Sequence, residues 1–149
     1  MRFVLAFALS LASLPALADS ASDAVRFFYK PDIYVADPAF YDRFAEPALT
    51  KFKQNQKQSA DGDQVGCIDF ALQYDAQDLD DGEVARSLTL TEGVKNDIAI
   101  VTASFQLFPG EPASARAITW VAKKVGPSWK ISDIAAANGE WKLSEFDCE

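Results

Sequence analysis

The chain has 149 residues, with 14 basic against 22 acidic side chains, no histidine, two cysteines and 12 % aromatics. A net charge of −8 argues against a nucleic-acid binder, and the missing histidine removes Ser-His-Asp and Cys-His catalysis and most zinc sites. With 49 % hydrophobic residues the composition is that of a folded domain, and the length allows one.

Residues 1–18 read as an export leader. Arg2 and the amino terminus supply the positive start, 3–14 is an apolar run, and Ala16-Leu17-Ala18 is an A-x-A cleavage site. The run is too short to span a bilayer core of ~30 Å and ends at Pro15. No second long apolar segment follows, so no membrane association is expected after cleavage. Removing Arg2 leaves 13 basic and 22 acidic residues in 19–149, a net −9. The leader is bacterial in length and composition, which places the product in the periplasm or outside the cell.

An oxidising compartment makes a structural disulfide the natural reading of the only two cysteines, Cys67 and Cys148. A loop that long gives roughly 4.5 kcal/mol in the chain-entropy account, less any strain. The pair lacks C-x-x-C spacing, so a redox role is the weaker alternative.

The first half of 19–149 is helical in pattern. Ser20 or Ser22 can cap a helix whose face carries Ala21, Ala24, Val25 and Phe28, ended by Pro31. Asp37-Pro38 reads as a cap followed by proline at the first helical position, with Phe40, Tyr41, Phe44 and Ala45 on one face. Pro47 restarts the helix, and Ala48, Leu49 and Phe52 carry the stripe towards Lys57. An aromatic stripe at this spacing is a core face before it is a ligand box.

The stretch 59–66 is loop. Ile68, Phe70 and Leu72 alternate like a short strand, and 75–83 reads as an exposed acidic loop. Four β-prone runs follow: 84–91 closed by Glu92-Gly93, 98–108 closed by Pro109-Gly110, 115–125 closed by Gly126-Pro127, and 129–135. Their short spacing predicts an antiparallel meander. Helices first and strands afterwards predict an α+β fold, with N-terminal helices packed on a curved antiparallel sheet of about four to five strands.

Ile68-Asp69-Phe70, then Tyr74-Asp75-Ala76-Gln77-Asp78, then the strand Trp129-Lys130-Ile131-Ser132-Asp133-Ile134 give the chain a family likeness. It resembles the nuclear-transport-factor-2-like, or cystatin-like, α+β superfamily. Within it, the chain is similar to an exported bacterial family of unknown function with a mid-chain Q-D phrase and a W-K-I-x-D-I strand. The likeness covers about 20–137. It departs from the family phrase in lacking a proline after the second acidic residue and in carrying Cys67 beside the motif. It implies a single cone-shaped domain over 19–149, with a pocket between helices and sheet and no assigned reaction.

The densest chemical feature is acidic: Asp61, Asp63, Asp69, Asp75, Asp78, Asp80, Asp81 and Glu83 fall in a stretch without a basic residue. A calcium loop would need glycine at its sixth position; starting at Asp78, Gly82 is the fifth and Thr89 the twelfth. No metal or other cofactor is therefore expected. A solvated loop, or a docking surface for a basic partner, fits better.

The resemblance places Tyr74, Gln77, Asp78 and Arg116 at a pocket rim, as candidate ligand-binding residues. Arg116, Ile118 and Trp120 share one face of a strand, so an arginine over an aromatic ring is the structural alternative. Isomerase-like members of the superfamily use a carboxylate base with a phenolic donor, for which Asp133 or Asp69 with Tyr74 could serve. No spacing shows that these converge, so the weight falls on binding and not on turnover. Three readings stand: an exported non-enzymatic module binding a small molecule or a protein; an acidic inhibitor or immunity-type protein for a basic envelope enzyme; and a small ketosteroid isomerase-like enzyme. The sequence sets no oligomeric state.

Overall fold

The computed structural model describes residues 20–60 and 65–148, so the leader and its cleavage site lie outside the described residues. Helix α1 is Ala21–Arg26, capped by the Ser20 hydroxyl accepting from the Asp23 N–H at 3.0 Å. It tightens into a 3-10 turn, Phe27–Tyr29. Asp37 caps a second 3-10 stretch, Pro38–Arg43, by accepting from the Ala39 N–H at 2.8 Å. The expected α-helix is therefore a tighter turn, and only Phe44 of its apolar residues reaches the interior. Helix α2, Ala48–Ala60, buries Ala48, Phe52 and Asn55.

The segment after Cys67 is not a strand. Ile68 and Leu72 are buried, but the backbone closes a turn in which the Ala71 carbonyl accepts from the Tyr74 and Asp75 N–H groups, both at 2.9 Å. The acidic stretch also differs from expectation, because it starts helix α3, Asp81–Ser87. Asp80 caps that helix, accepting from the Glu83 N–H at 2.8 Å.

The sheet is the expected meander, β1 (Thr89–Lys95), β2 (Ile98–Gln106), β3 (Ala115–Val125) and β4 (Ser128–Ala136), in the order β1-β2-β3-β4 and antiparallel throughout. Glu92-Gly93 lies inside β1, and the chain turns instead at Asn96, which takes φ +56, a conformation asparagine tolerates.

One sheet face packs on α1 and α2. Alternation along β2 and β3 sends Ala99, Val101, Phe105, Ile118 and Trp120 to that side. The Phe28 ring stacks on Trp120 at 5.4 Å, Phe44 meets Phe28 at 5.3 Å, and Phe52 meets Phe44 at 4.7 Å. Trp120 Nε1 donates to the Tyr29 hydroxyl at 3.2 Å. Trp129, expected inside, is half-buried at the margin of this core beneath the Lys124 ammonium. The outer edge of β4 is closed in two places, by Phe44–Ala45 beside Ile131 and by Lys142 beside Ala135.

Cys67 and Cys148 form the expected disulfide, 81 residues apart in sequence. It fastens the C-terminal tail to the segment after α2. No helix among the described residues is long and apolar enough to cross a membrane.

Candidate functional site

The space between helices and sheet, where the sequence suggested a pocket, is occupied by Phe28, Phe52, Leu72, Ile118 and Trp120, all fully buried. The four candidate ligand-binding residues are distributed around this core and do not line one cavity. Tyr74 belongs to the core, with its ring edge-on to Tyr29 at 5.8 Å and Phe105 at 6.1 Å. Burial raises the pKa of its phenol, and the Asp81 carboxylate raises it further. Gln77 is exposed and donates to the Asp69 carbonyl at 3.4 Å, borders a shallow depression with Tyr34 and Ile68, and so pins its own loop. Asp78 is exposed.

Arg116 sits at a different place. Its guanidinium donates to the carbonyls of Ala115 at 3.0 Å, Ala113 at 3.4 Å and Asp75 at 3.5 Å. Its Nε is 3.9 Å from Asp75 Oδ2, while Asp75 Oδ1 accepts from Trp141 Nε1 at 2.7 Å. Arg116 is thus held by oxygens; the cation–aromatic contacts of the described residues lie elsewhere, as with Arg43 over Phe27 at 3.6 Å. Asp75 takes φ +52, as the turn at Ala71 requires, and is fixed by Trp141. Together Asp75, Arg116, Asn138 and Glu140 line an open cleft of about 410 Å³, with only alanines between them. Such walls suit a polar protein side chain better than an apolar small molecule, whose sites are mostly apolar.

The carboxylates considered for base chemistry are engaged or remote. Asp133 Oδ1 accepts from the Ile134 N–H at 3.0 Å and the Ser144 N–H at 3.1 Å, and Lys142 Nζ lies 3.6 Å from Oδ2. These contacts anchor the tail to β4. Asp69 is exposed and lies in the loop that Gln77 pins.

What gathers around the cleft is negative charge. The meander brings α3, the β2–β3 connection and the turn after β4 to one end of the sheet. The Asp80 N–H donates to the Leu107 carbonyl at 2.8 Å, and the Ala137 N–H to the Ala117 carbonyl at 2.9 Å, which locks these loops together. Asp78, Asp81, Glu111 and Glu140 are exposed on them. The arginines at this end are already engaged: Arg86 holds Glu83 in a two-point pair, 3.0 Å for Nε to Oε2, and Arg116 holds Asp75. Glu111, Asn138 and Glu140 escape a sequence reading, because each lies in a turn, at Pro109-Gly110 or Asn138-Gly139, and nothing in the linear order links those turns to Asp78.

No protein-family model matches the sequence, and no curated protein matches it. A chain of the type VI native effector–immunity complex Tae3–Tai3 from Ralstonia pickettii is similar in structure, with a TM-score of 0.54 and 18 % identity, over 80 % of this chain and 96 % of that one. At that identity the likeness is one of fold.

Proposed function

We propose that this chain is an exported immunity-type protein, which neutralises a basic effector enzyme by docking its acidic sheet end on it. The observation that carries this reading is the group of exposed carboxylates, Asp78, Asp81, Glu111 and Glu140, at the end of the sheet that holds a polar cleft, where Arg86 and Arg116 are paired internally. Complementary fields of this kind raise association rates and reject wrong partners. The fold likeness to a chain of an effector–immunity complex supports it independently of charge. In this reading Asp78 and the Arg116–Asp75 pair border the contact, Tyr74 and Gln77 hold its scaffold, and the interaction is binding without turnover. The protein works in the periplasm or outside the cell after loss of residues 1–18; its disulfide fits an oxidising compartment. The nuclear-transport-factor-2-like superfamily stays our proposal for its ancestry, supported by the helices-then-meander order.

The test is to co-express the exported protein with basic type VI effectors directed to the periplasm, and to measure binding of each pair. One effector should be neutralised. Reversing Asp78, Glu111 and Glu140 to Lys should then slow association at least about tenfold at low salt, with an unchanged melting temperature. Neutralisation that survives the triple reversal would overturn the acidic-end reading.

A further inference from the structure

The opposite end of the sheet has the reverse character. Six large hydrophobic side chains are exposed among the described residues, and four of them, Val94, Ile98, Ile100 and Val125, collect where β1 turns into β2 and β3 into β4. Lysines share the place. Lys95, Ile98, Lys123 and Lys130 are register partners across all four strands, so they form one row on the face that α1 and α2 leave uncovered. At about 4.8 Å per strand the row is roughly 15 Å wide. Ile100 stands in the next row, and Val125 is two residues beyond Lys123 on the same side. Lys123 Nζ donates to the Glu46 carbonyl at 3.1 Å; Glu46 and Asp97 lie near the row, and Asp133 stands in the next one, in register with Val121 and Ile100, with Lys142 Nζ 3.6 Å from its carboxylate.

Against the expectation of no membrane association, which rests only on the lack of a second long apolar run, we propose that this end of the sheet rests on an anionic phospholipid bilayer, the lysines against headgroup phosphates and the neighbouring aliphatic side chains at the acyl boundary. A row of three lysines and Ile98, with Ile100 and Val125 beside it on the same face, has the composition of an interfacial anchor. The net charge does not prevent this. Strands of 9 to 11 residues hold the acidic end about 30 Å away, more than three Debye lengths at physiological ionic strength. Docked this way, the molecule points its carboxylates away from the membrane. The inference stands on the lysine row alone and does not rest on the effector reading.

The experiment is co-sedimentation of the exported protein with vesicles of phosphatidylcholine alone, or with about one third phosphatidylglycerol. Intact mass confirms that the apolar leader is gone. Binding should require phosphatidylglycerol and fall with salt. The charge-neutral set Lys95→Gln, Lys123→Gln and Lys130→Gln should lower the partition coefficient about 100-fold at low salt, and Ile98→Ser with Ile100→Ser should weaken it further. Asp78→Lys should leave it intact or raise it. Equal binding to both vesicle types, or none to either at low salt, overturns the proposal. So does a vesicle-free dimer in sedimentation equilibrium that the lysine set abolishes, which would assign the face to a second copy of the chain.

Discussion

Asn55 shows how one polar side chain can hold two segments together. It is buried on α2, and its Oδ1 accepts from the Ile68 N–H at 2.8 Å with Cys67 Sγ at 3.7 Å. Gly66 lies against the same amide and leaves no room for a Cβ. A polar residue on a helix reads as solvent-facing, so its role was not legible; it exists only because the chain doubles back after α2. Asn55→Ala leaves the Ile68 N–H without its partner in the interior, which costs about 1–3 kcal/mol. Urea unfolding should show a lower midpoint with an unchanged slope. The aromatic positions were legible, because Phe28, Phe44, Phe52 and Trp120 repeat at helix or strand period. Phe52→Ala removes a fully buried ring from the Phe44 contact and should cost roughly 3–5 kcal/mol. An unmoved midpoint would mean that α2 does not pack as described.

Among the elements, β2, β3 and β4 match their sequence signals to within two residues, since Pro109-Gly110 closes the second run and Gly126-Pro127 separates the third from the fourth. Two elements failed for physical reasons. Ile68, Phe70 and Leu72 alternate, but alternation reports only one-sided burial; here the backbone turns back on itself, the Ala71 carbonyl accepting from the Tyr74 and Asp75 N–H groups. Helix α3 hides in the acidic stretch, whose density of charge alone suggests a solvated loop. Asp80-x-x-Glu83 is a capping signature, and the run from Val84 is helical until Ser87. The candidate site was the least legible part, because Glu111, Glu140 and Asp78 meet only through the meander. The disulfide acts at this scale, joining a strandless segment and a tail that have few backbone partners of their own. Replacing Cys67 and Cys148 together by Ser should cost about 2–4 kcal/mol. Wild type measured in reductant should fall to the same midpoint; a wild type indifferent to reductant would contradict a structural role.

Over the whole molecule, rings are gathered in the layer between helices and sheet, while one end of the sheet exposes Asp78, Asp81, Glu111 and Glu140 and the other carries the row of Lys95, Lys123 and Lys130. All four tyrosines, Tyr29, Tyr34, Tyr41 and Tyr74, have raised pKa values with desolvation as the leading cause. Tyr29 is raised furthest. Its burial outweighs the hydrogen bond from Trp120, which favours the phenolate, and Tyr74 adds to the rise. A phenol raised in the folded state adds stability that is full below its unfolded pKa near 10 and is lost as pH climbs above it. Stability should therefore be flat to about pH 9.5 and fall steeply beyond pH 10. Tyrosinate absorbance at 295 nm should lag behind model phenols, and its last component should appear together with loss of the near-UV circular dichroism. Tyr29→Phe separates the causes. At neutral pH it should cost about 1 kcal/mol, because Trp120 Nε1 loses its acceptor at 3.2 Å. Above pH 10 it should unfold less steeply than wild type, having one fewer buried phenol to ionise. If all four tyrosines of the wild type titrate near pH 10 while the near-UV signal persists, the helix–sheet layer is more open to water than its packing implies.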